Sequence, residues 1–188
     1  MRFRPYTAPV RAPGRALLAL SLLCSLGLAT ACGGPTLRDG VYRDEEARYR
    51  IGELGPGWST LSVADQNDLA WHNDALGAIV QVNAVCDPGR DVPLTALTNH
   101  LLIGFRERQV VTEAYVPMDG REALRTHVVA TLDGVPRELL LYVMKKDDCV
   151  YDFALITPPG DSFLRAQPTF ERFVGGFSTA ASPGEGGS

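Results

Sequence analysis

The amino-acid sequence predicts an α+β fold, one domain in which an antiparallel meander carries a helix laid against it. Three observations predict it. Ala78 to Cys86 alternates apolar with polar residues, the period of a strand with one buried face. Gln109–Val116, Glu122–Leu132, Pro136–Met144 and Cys149–Ile156 follow as strand-like runs, with Asp119-Gly120 and Asp133-Gly134 in the first two gaps. Those dipeptides suit tight hairpins because both residues tolerate positive φ. Between these regions Leu94, Leu97, Leu101, Leu102 and Phe105 recur at helical spacing, which places them on one helix face.

Read from the start, the chain opens with an export signal. Arg2, Arg4, Arg11 and Arg15 precede an apolar run from Ala16 to Leu28, and no acidic residue occurs before Asp39. A basic start, a short apolar core and a small-residue exit make a secretory signal peptide over residues 1–31. The run is shorter than the ~20 apolar residues of a spanning helix, although an uncleaved anchor is the competing reading. The exit, Ala29-Thr30-Ala31-Cys32, resembles the lipobox of bacterial lipoproteins, in which the cysteine becomes the lipid-bearing first residue. The pattern prefers Leu three residues before the cysteine, where this chain has Ala29. An ordinary signal peptidase would cut the same bond and leave Cys32 a free thiol. Lipidation is the favoured expectation, since several acyl chains at ~0.8 kcal/mol per buried methylene anchor durably. Gly33 rather than Asp after the cysteine resembles the outer-membrane pattern, if the source is Gram-negative.

Removing 31 residues from 188 leaves 157, enough for one domain. The 18 basic residues lose four with the signal, and 14 against 22 acidic residues gives a net charge of −8. The basic residues read as scattered, which argues against a nucleic-acid partner. Residues 32–40 read as a tether, 41–179 as the domain and 180–188 as a polar tail.

Within the domain, Tyr49–Ile51 is expected to be a strand before a turn at Gly55-Pro56-Gly57. Trp58–Val63 and Leu69–Asn73 are expected strands around the polar Asp65–Asp68. Pro93 suits the first turn of the helix, and Arg106 and Arg108 fall near its expected end. Pro168 predicts an interruption within Phe163–Phe177, with a helix starting near that proline and stopping at Gly175-Gly176.

The two remaining domain cysteines, Cys86 and Cys149, read as a disulfide in an oxidising compartment. A reactive thiol is the alternative, but neither a CxxC spacing nor a neighbouring base supports it. Of the three histidines, His72 lies beside Asp74 and near Asp65 and Asp68, a candidate ligand or metal cluster. The bland reading of that stretch is a polar loop. His100 is expected on the helix surface, and His127 as a hydrogen-bonded sheet residue. No HExxH, GxSxG or phosphate loop occurs, and no serine has an identifiable base, so no catalytic residue, cofactor or enzyme activity is expected. Trp58, Trp71, Tyr115, Tyr142 and Tyr151 are core by default and partner anchors if exposed.

The Gly55–Trp58 turn, the strand–helix–meander order and a closing Phe170, Glu171, Phe173, Val174, Phe177 pattern together resemble the PsbP-like α/β/α sandwich. The resemblance implies a central antiparallel sheet with helices packed on its faces, and a non-catalytic binding or accessory role. The expectation is therefore an exported, lipid-anchored module that meets another envelope protein through a sheet edge or loop face. The alternative is a periplasmic small-molecule- or metal-binding domain, conceivably a weak hydrolase, using His72 and Asp74.

Overall fold

The computed structural model describes residues 34–62, 67–87 and 91–179. The signal peptide, Cys32, the polar tail and Val63 to Gln66 lie outside the described residues. The described residues form one compact unit.

Two antiparallel sheets and two helices make up that unit, an α+β architecture. The small sheet holds β1 (Thr36–Arg38), β2 (Val41–Arg43), β3 (Arg48–Arg50) and β11 (Ser178–Thr179) in the order β1-β2-β3-β11. The large sheet holds β4 (Ser59–Thr60), β5 (Leu69–Asn73), β6 (Ala78–Cys86), β7 (Phe105–Met118), β8 (Arg121–Leu132), β9 (Val135–Lys146) and β10 (Cys149–Thr157). Its order is β4-β5-β6-β10-β9-β8-β7. The chain thus leaves β6, passes through α1 (Leu94–Leu101) to the far edge, and returns strand by strand until β10 pairs with β6.

Turn chemistry sets this meander. Asp39-Gly40, Asp119-Gly120, Asp133-Gly134 and Asp147-Asp148 each place two successive residues at positive φ, the type I′ geometry that matches strand twist. In the last pair Asp148 takes the left-handed position usually given to glycine, with φ 59°, a conformation Asp tolerates better than most residues. Because the connecting loops are two residues long, the register is pinned, with Met118 opposite Arg121 and Leu132 opposite Val135.

Side chains alternate along β10 between two apolar clusters. Tyr151, Phe153 and Leu155 join Tyr49, Val80, Val82, Leu140 and Met144 in the larger cluster, which α2 (Asp161–Gly175) closes with Phe163, Ala166, Phe170, Phe173 and Val174. Burying each large apolar side chain contributes ~1.5–3 kcal/mol. Ala154 and Ile156 belong to the smaller cluster with Val128, Ala130, Leu139, Leu141 and Leu102. Here α1 packs against β8 and β9.

The structure departs from the sequence reading in four places. First, α2 runs unbroken through Pro168. Pro168 is exposed, so the helix loses one backbone bond on its solvent side while its opposite face stays buried. The ~3 kcal/mol cost of an interior proline is smaller than the burial of that face. Second, α1 stops at Leu101, because Gly104 turns the chain at φ 92° and Phe105, Arg106 and Arg108 enter β7. Third, β1 lies inside the stretch read as tether, and β1, β2 and β11 are too short for periodicity to reveal. Fourth, the basic residues are not all scattered. Arg38, Arg43, Arg48 and Arg50 project from one side of the small sheet, opposite buried Tyr42 and Tyr49.

Gly52 and Gly176 explain how the small sheet meets the end of α2. A Cβ on Gly52 would lie 2.8 Å from the Phe173 carbonyl oxygen, and one on Gly176 would lie 2.6 Å from the Gly52 Cα. The Gly52 N–H donates to that carbonyl at 3.0 Å. Gly176 therefore ends the helix through close backbone approach and not through a left-handed turn, since its φ is −84°.

Candidate functional site

The sequence of β7 is that of an ordinary strand, rich in β-branched residues at Val110, Val111, Thr112 and Val116. Its position is not ordinary. β7 pairs only with β8, and every residue from Arg106 to Tyr115 is exposed. Val110, Val111 and Tyr115 are 57 %, 53 % and 58 % accessible. From Arg106 to Tyr115 the side chains face solvent and no strand among the described residues pairs with the outer edge, whereas Phe105, Val116 and Met118 at the two ends pack against the apolar clusters. The opposite edge, β4, has two residues.

Such an edge is a template for pairing with another chain unless something blunts it. Partial protection is present. The register skips between Arg106 and Gln109 and again between Val110 and Thr112, and Glu107 adopts φ 51°. These bulges twist the first half of the strand. The Arg108 guanidinium is folded back, donating to the Leu102 carbonyl and, at 2.9 Å, to the Phe105 carbonyl. Pro117 removes a donor near the end. The stretch Thr112–Val116 between bulge and proline keeps regular pairing with β8 and an unpaired outer side.

The aromatic residues divide as exposure dictates. Tyr142 and Tyr151 are buried, Trp58 and Trp71 are half-buried, and Tyr115 stands open on β7. Trp58 and Trp71 line a groove of about 320 Å³ with Leu37, Ile51, Leu54 and Phe173. A second cavity of about 350 Å³ lies at the disulfide end of the large sheet, lined by Asp91, Arg121, Lys145, Lys146, Asp147 and Asp148 among others. Both of its lysines are already matched: Lys145 reaches Asp91 at 2.9 Å, and Lys146 reaches Asp119 at 2.9 Å. Cys86 and Cys149 sit directly opposite in the β6–β10 register and form a disulfide.

The His72 region is brought together only in part. His72 Nδ1 and Asp74 Oδ1 lie 2.9 Å apart at the surface. Asp68 instead turns inward, accepting from the Tyr49 hydroxyl at 2.8 Å and the Ala84 N–H at 3.0 Å. Asp65 lies outside the described residues. Among the described residues, no group of three or more His, Cys, Asp or Glu side chains is arranged to hold a metal ion. His100 is exposed on α1. His127 bonds Glu138 at 2.8 Å and stacks on Phe163, while Glu138 also accepts the Gly160 N–H at the start of α2. That histidine ties sheet to helix.

Two carboxyls that sequence reading left aside are electrostatically unusual. Burial pushes Asp68 up to about 6, with nearby Asp44 adding to the rise and the Tyr49 bond opposing it. Burial likewise pushes Asp152 up to about 7, against a bond from Asn83. Burial also raises Tyr42 and Tyr49, with Asp44 reinforcing Tyr42 and Asp68 reinforcing Tyr49. Asp44 goes the other way. Burial raises it, but bonds from the Ala47 N–H and the Tyr42 hydroxyl outweigh that and hold it low. Nothing local marks Asp152: pairing sets it between Asn83 on β6 and Val143 on β9, and that placement covers it in part.

No protein-family model and no curated relative matches the chain. Solved structures do. A cyanobacterial PsbP from Synechocystis matches with a TM-score of 0.52 and 16 % identity, over 85 % of this chain and 99 % of that one. LpqN of Mycobacterium tuberculosis, described as involved in cell envelope biogenesis, matches with a TM-score of 0.51 and 10 % identity, over 78 % and 90 % of the two chains. A Bacteroides thetaiotaomicron protein matches with a TM-score of 0.51 and 10 % identity; 71 % of this chain is covered but only 46 % of that one. At such identities the likeness is one of fold. It agrees with the PsbP-like architecture that the order of elements implies. No helix among the described residues is long and apolar enough to cross a membrane.

Proposed function

We propose that this protein is an exported, lipid-anchored, non-catalytic module that docks another envelope protein along β7. In this reading its layers form an α/β/α sandwich, with lipid on Cys32 holding it at a membrane. The observation that carries the proposal is the ten-residue exposed course of β7 from Arg106 to Tyr115, with Val110, Val111 and Tyr115 open to solvent. An extended segment of a partner would add as the next strand, its backbone satisfying the outer side of Thr112–Val116 and its side chains meeting Tyr115 and the two valines. Aromatic anchors flanked by apolar contacts supply most of the affinity in such interfaces. The fold neighbour with a role in cell envelope biogenesis supports the setting. The His72–Asp74 alternative has less support, because that pair is exposed and has no third ligand among the described residues.

The test is in-cell photo-cross-linking from Tyr115, read by mass spectrometry, in the wild-type chain, in Cys32→Ser and in Val110→Lys. A defined envelope protein captured by the wild type, and lost with Val110→Lys, is the expected result. Weaker capture with Cys32→Ser would tie the interaction to the anchor. Capture of nothing specific from Tyr115 while a probe at His72 captures or binds a ligand would overturn the assignment.

A further inference from the structure

The outer face of the small sheet concentrates positive charge in a way its sequence conceals. In the antiparallel register Arg43 lies directly opposite Arg48, and Val41 is flanked by Arg38 on one side and Arg50 on the other. Residues two apart on a strand share a face, so all four guanidinium groups project from the same side. Like charges directly opposed across a strand pair are destabilising. Sites that break such a rule are expected to be functional.

No ion pair ties them down. Among the described residues none of the four arginines makes an ion pair with a carboxylate, although Asp39, Glu45 and Glu46 stand nearby in the turns beyond the strand ends. Among the described residues Arg50 donates to the Asp39 backbone carbonyl, at 3.1 Å. The Nε of Arg48 is buried with no partner. Asp44, next to Arg43 in the chain, is occupied by the Tyr42 hydroxyl and the Glu46 and Ala47 N–H groups. An array of unpaired guanidiniums suits phosphate oxygens, which accept their N–H forks.

We propose that this face binds the phosphate headgroups of an anionic bilayer through Arg38, Arg43, Arg48 and Arg50. The proposal rests on the reading of Cys32 as a lipid anchor. Four residue steps, across Gly33, Gly34 and Pro35, lead from Cys32 to Thr36, the first residue of β1. Fully extended, they span at most ~14 Å. The anchor therefore delivers the arginine face to within one or two Debye lengths of the surface, each about 8 Å at physiological ionic strength. The rest of the chain is acidic and repelled, so one orientation is selected. That orientation fixes which way the β7 edge is presented.

The compact unit from Gly33 to Ser188 contains both sheets, both helices and the disulfide, so it is the protein for a test that needs no acyl chain. Its sedimentation with phosphatidylglycerol-containing vesicles is compared with pure phosphatidylcholine vesicles at low and high salt. Binding only to the anionic vesicles, lost at high salt, is expected. Arg43→Gln/Arg48→Gln lowers the partition coefficient about thirty-fold, roughly fivefold per arginine near an anionic surface. Arg121→Gln/Arg165→Gln changes net charge equally but lies off this face and leaves binding within about twofold. An unfolding midpoint no lower than that of the wild type checks that each variant is folded. The proposal is overturned if the wild type ignores anionic vesicles at low salt, if Arg43→Gln/Arg48→Gln binds as tightly as wild type, or if both double variants lose binding equally. Inorganic phosphate shifting the NMR signals of these arginines while vesicles fail to bind would assign a soluble anion instead. Metabolic palmitate labelling of the full chain reads the anchor separately, so failure of either reading is recognised on its own.

Discussion

Replacing Asp152 by Asn should stabilise the protein at neutral and alkaline pH. Asp152 is half-buried beside Asn83, and burial lifts its carboxyl from the ordinary 3.8 to about 7. The folded state therefore holds this proton where the unfolded chain has released it. A folded carboxyl with a raised pKa favours folding at low pH, and that contribution disappears as pH climbs from about 4 through about 7. At 1.36 kcal/mol per pKa unit the ceiling is ~4 kcal/mol. Water penetration and relaxation around buried charges reduce such ceilings, so about 2 kcal/mol at pH 8 is the expected gain. Asp68, raised to about 6, shares the lower part of the same window. Asp152→Asn should therefore flatten the stability profile chiefly between about pH 6 and about pH 7 and leave a shallower slope below it. Urea unfolding of the disulfide-bonded protein at a series of pH values measures this directly. The reasoning fails if wild-type stability rises from pH 5 to pH 8, or if Asp152→Asn is destabilising at pH 8.

Other perturbations test the packing. Changing Cys86 and Cys149 to Ser opens a loop spanning 63 residues in sequence, and should lower the unfolding free energy by ~4 kcal/mol on the chain-entropy account. Gly52→Ala forces a methyl group to 2.8 Å from the Phe173 carbonyl, and should cost ~1–3 kcal/mol in urea unfolding as small sheet and helix separate. Pro168→Ala restores a backbone donor in the exposed middle of α2, and calorimetry should find a gain of about 1–2 kcal/mol after the looser unfolded chain is counted.

The strands from Ala78 onward were legible because their signals are local. Alternation over β6 and β8–β10 depends on residues two apart, and an Asp-Gly pair demands positive φ wherever it sits. The pairing of Cys86 with Cys149 was expected from an even pair of cysteines in a chain read as exported, and the register sets them face to face. The arginine rows were invisible for the opposite reason. β1, β2 and β3 are three residues each, too short for a period, and only pairing lines up residues that lie five or more apart in sequence.

Element type is a property of neighbours along the chain, and from it came the meander, the helix before it and the likeness to a PsbP-like fold. Edge or interior is a property of strand order. Val110-Val111-Thr112 on β7 reads much like His127-Val128-Val129 on β8, yet one is bare and the other covered, because the crossover through α1 sends β7 to the outside. Likewise Asp68 meets Tyr49 and Ala84 across 19 and 16 residues, and no window around Asp68 contains the burial that raises its pKa. Hydrophobic pattern and turn chemistry act over a few residues. Exposure, charge convergence and desolvation arise only when distant segments are brought together, and it is these that place the open edge, the arginine face and the buried carboxyls.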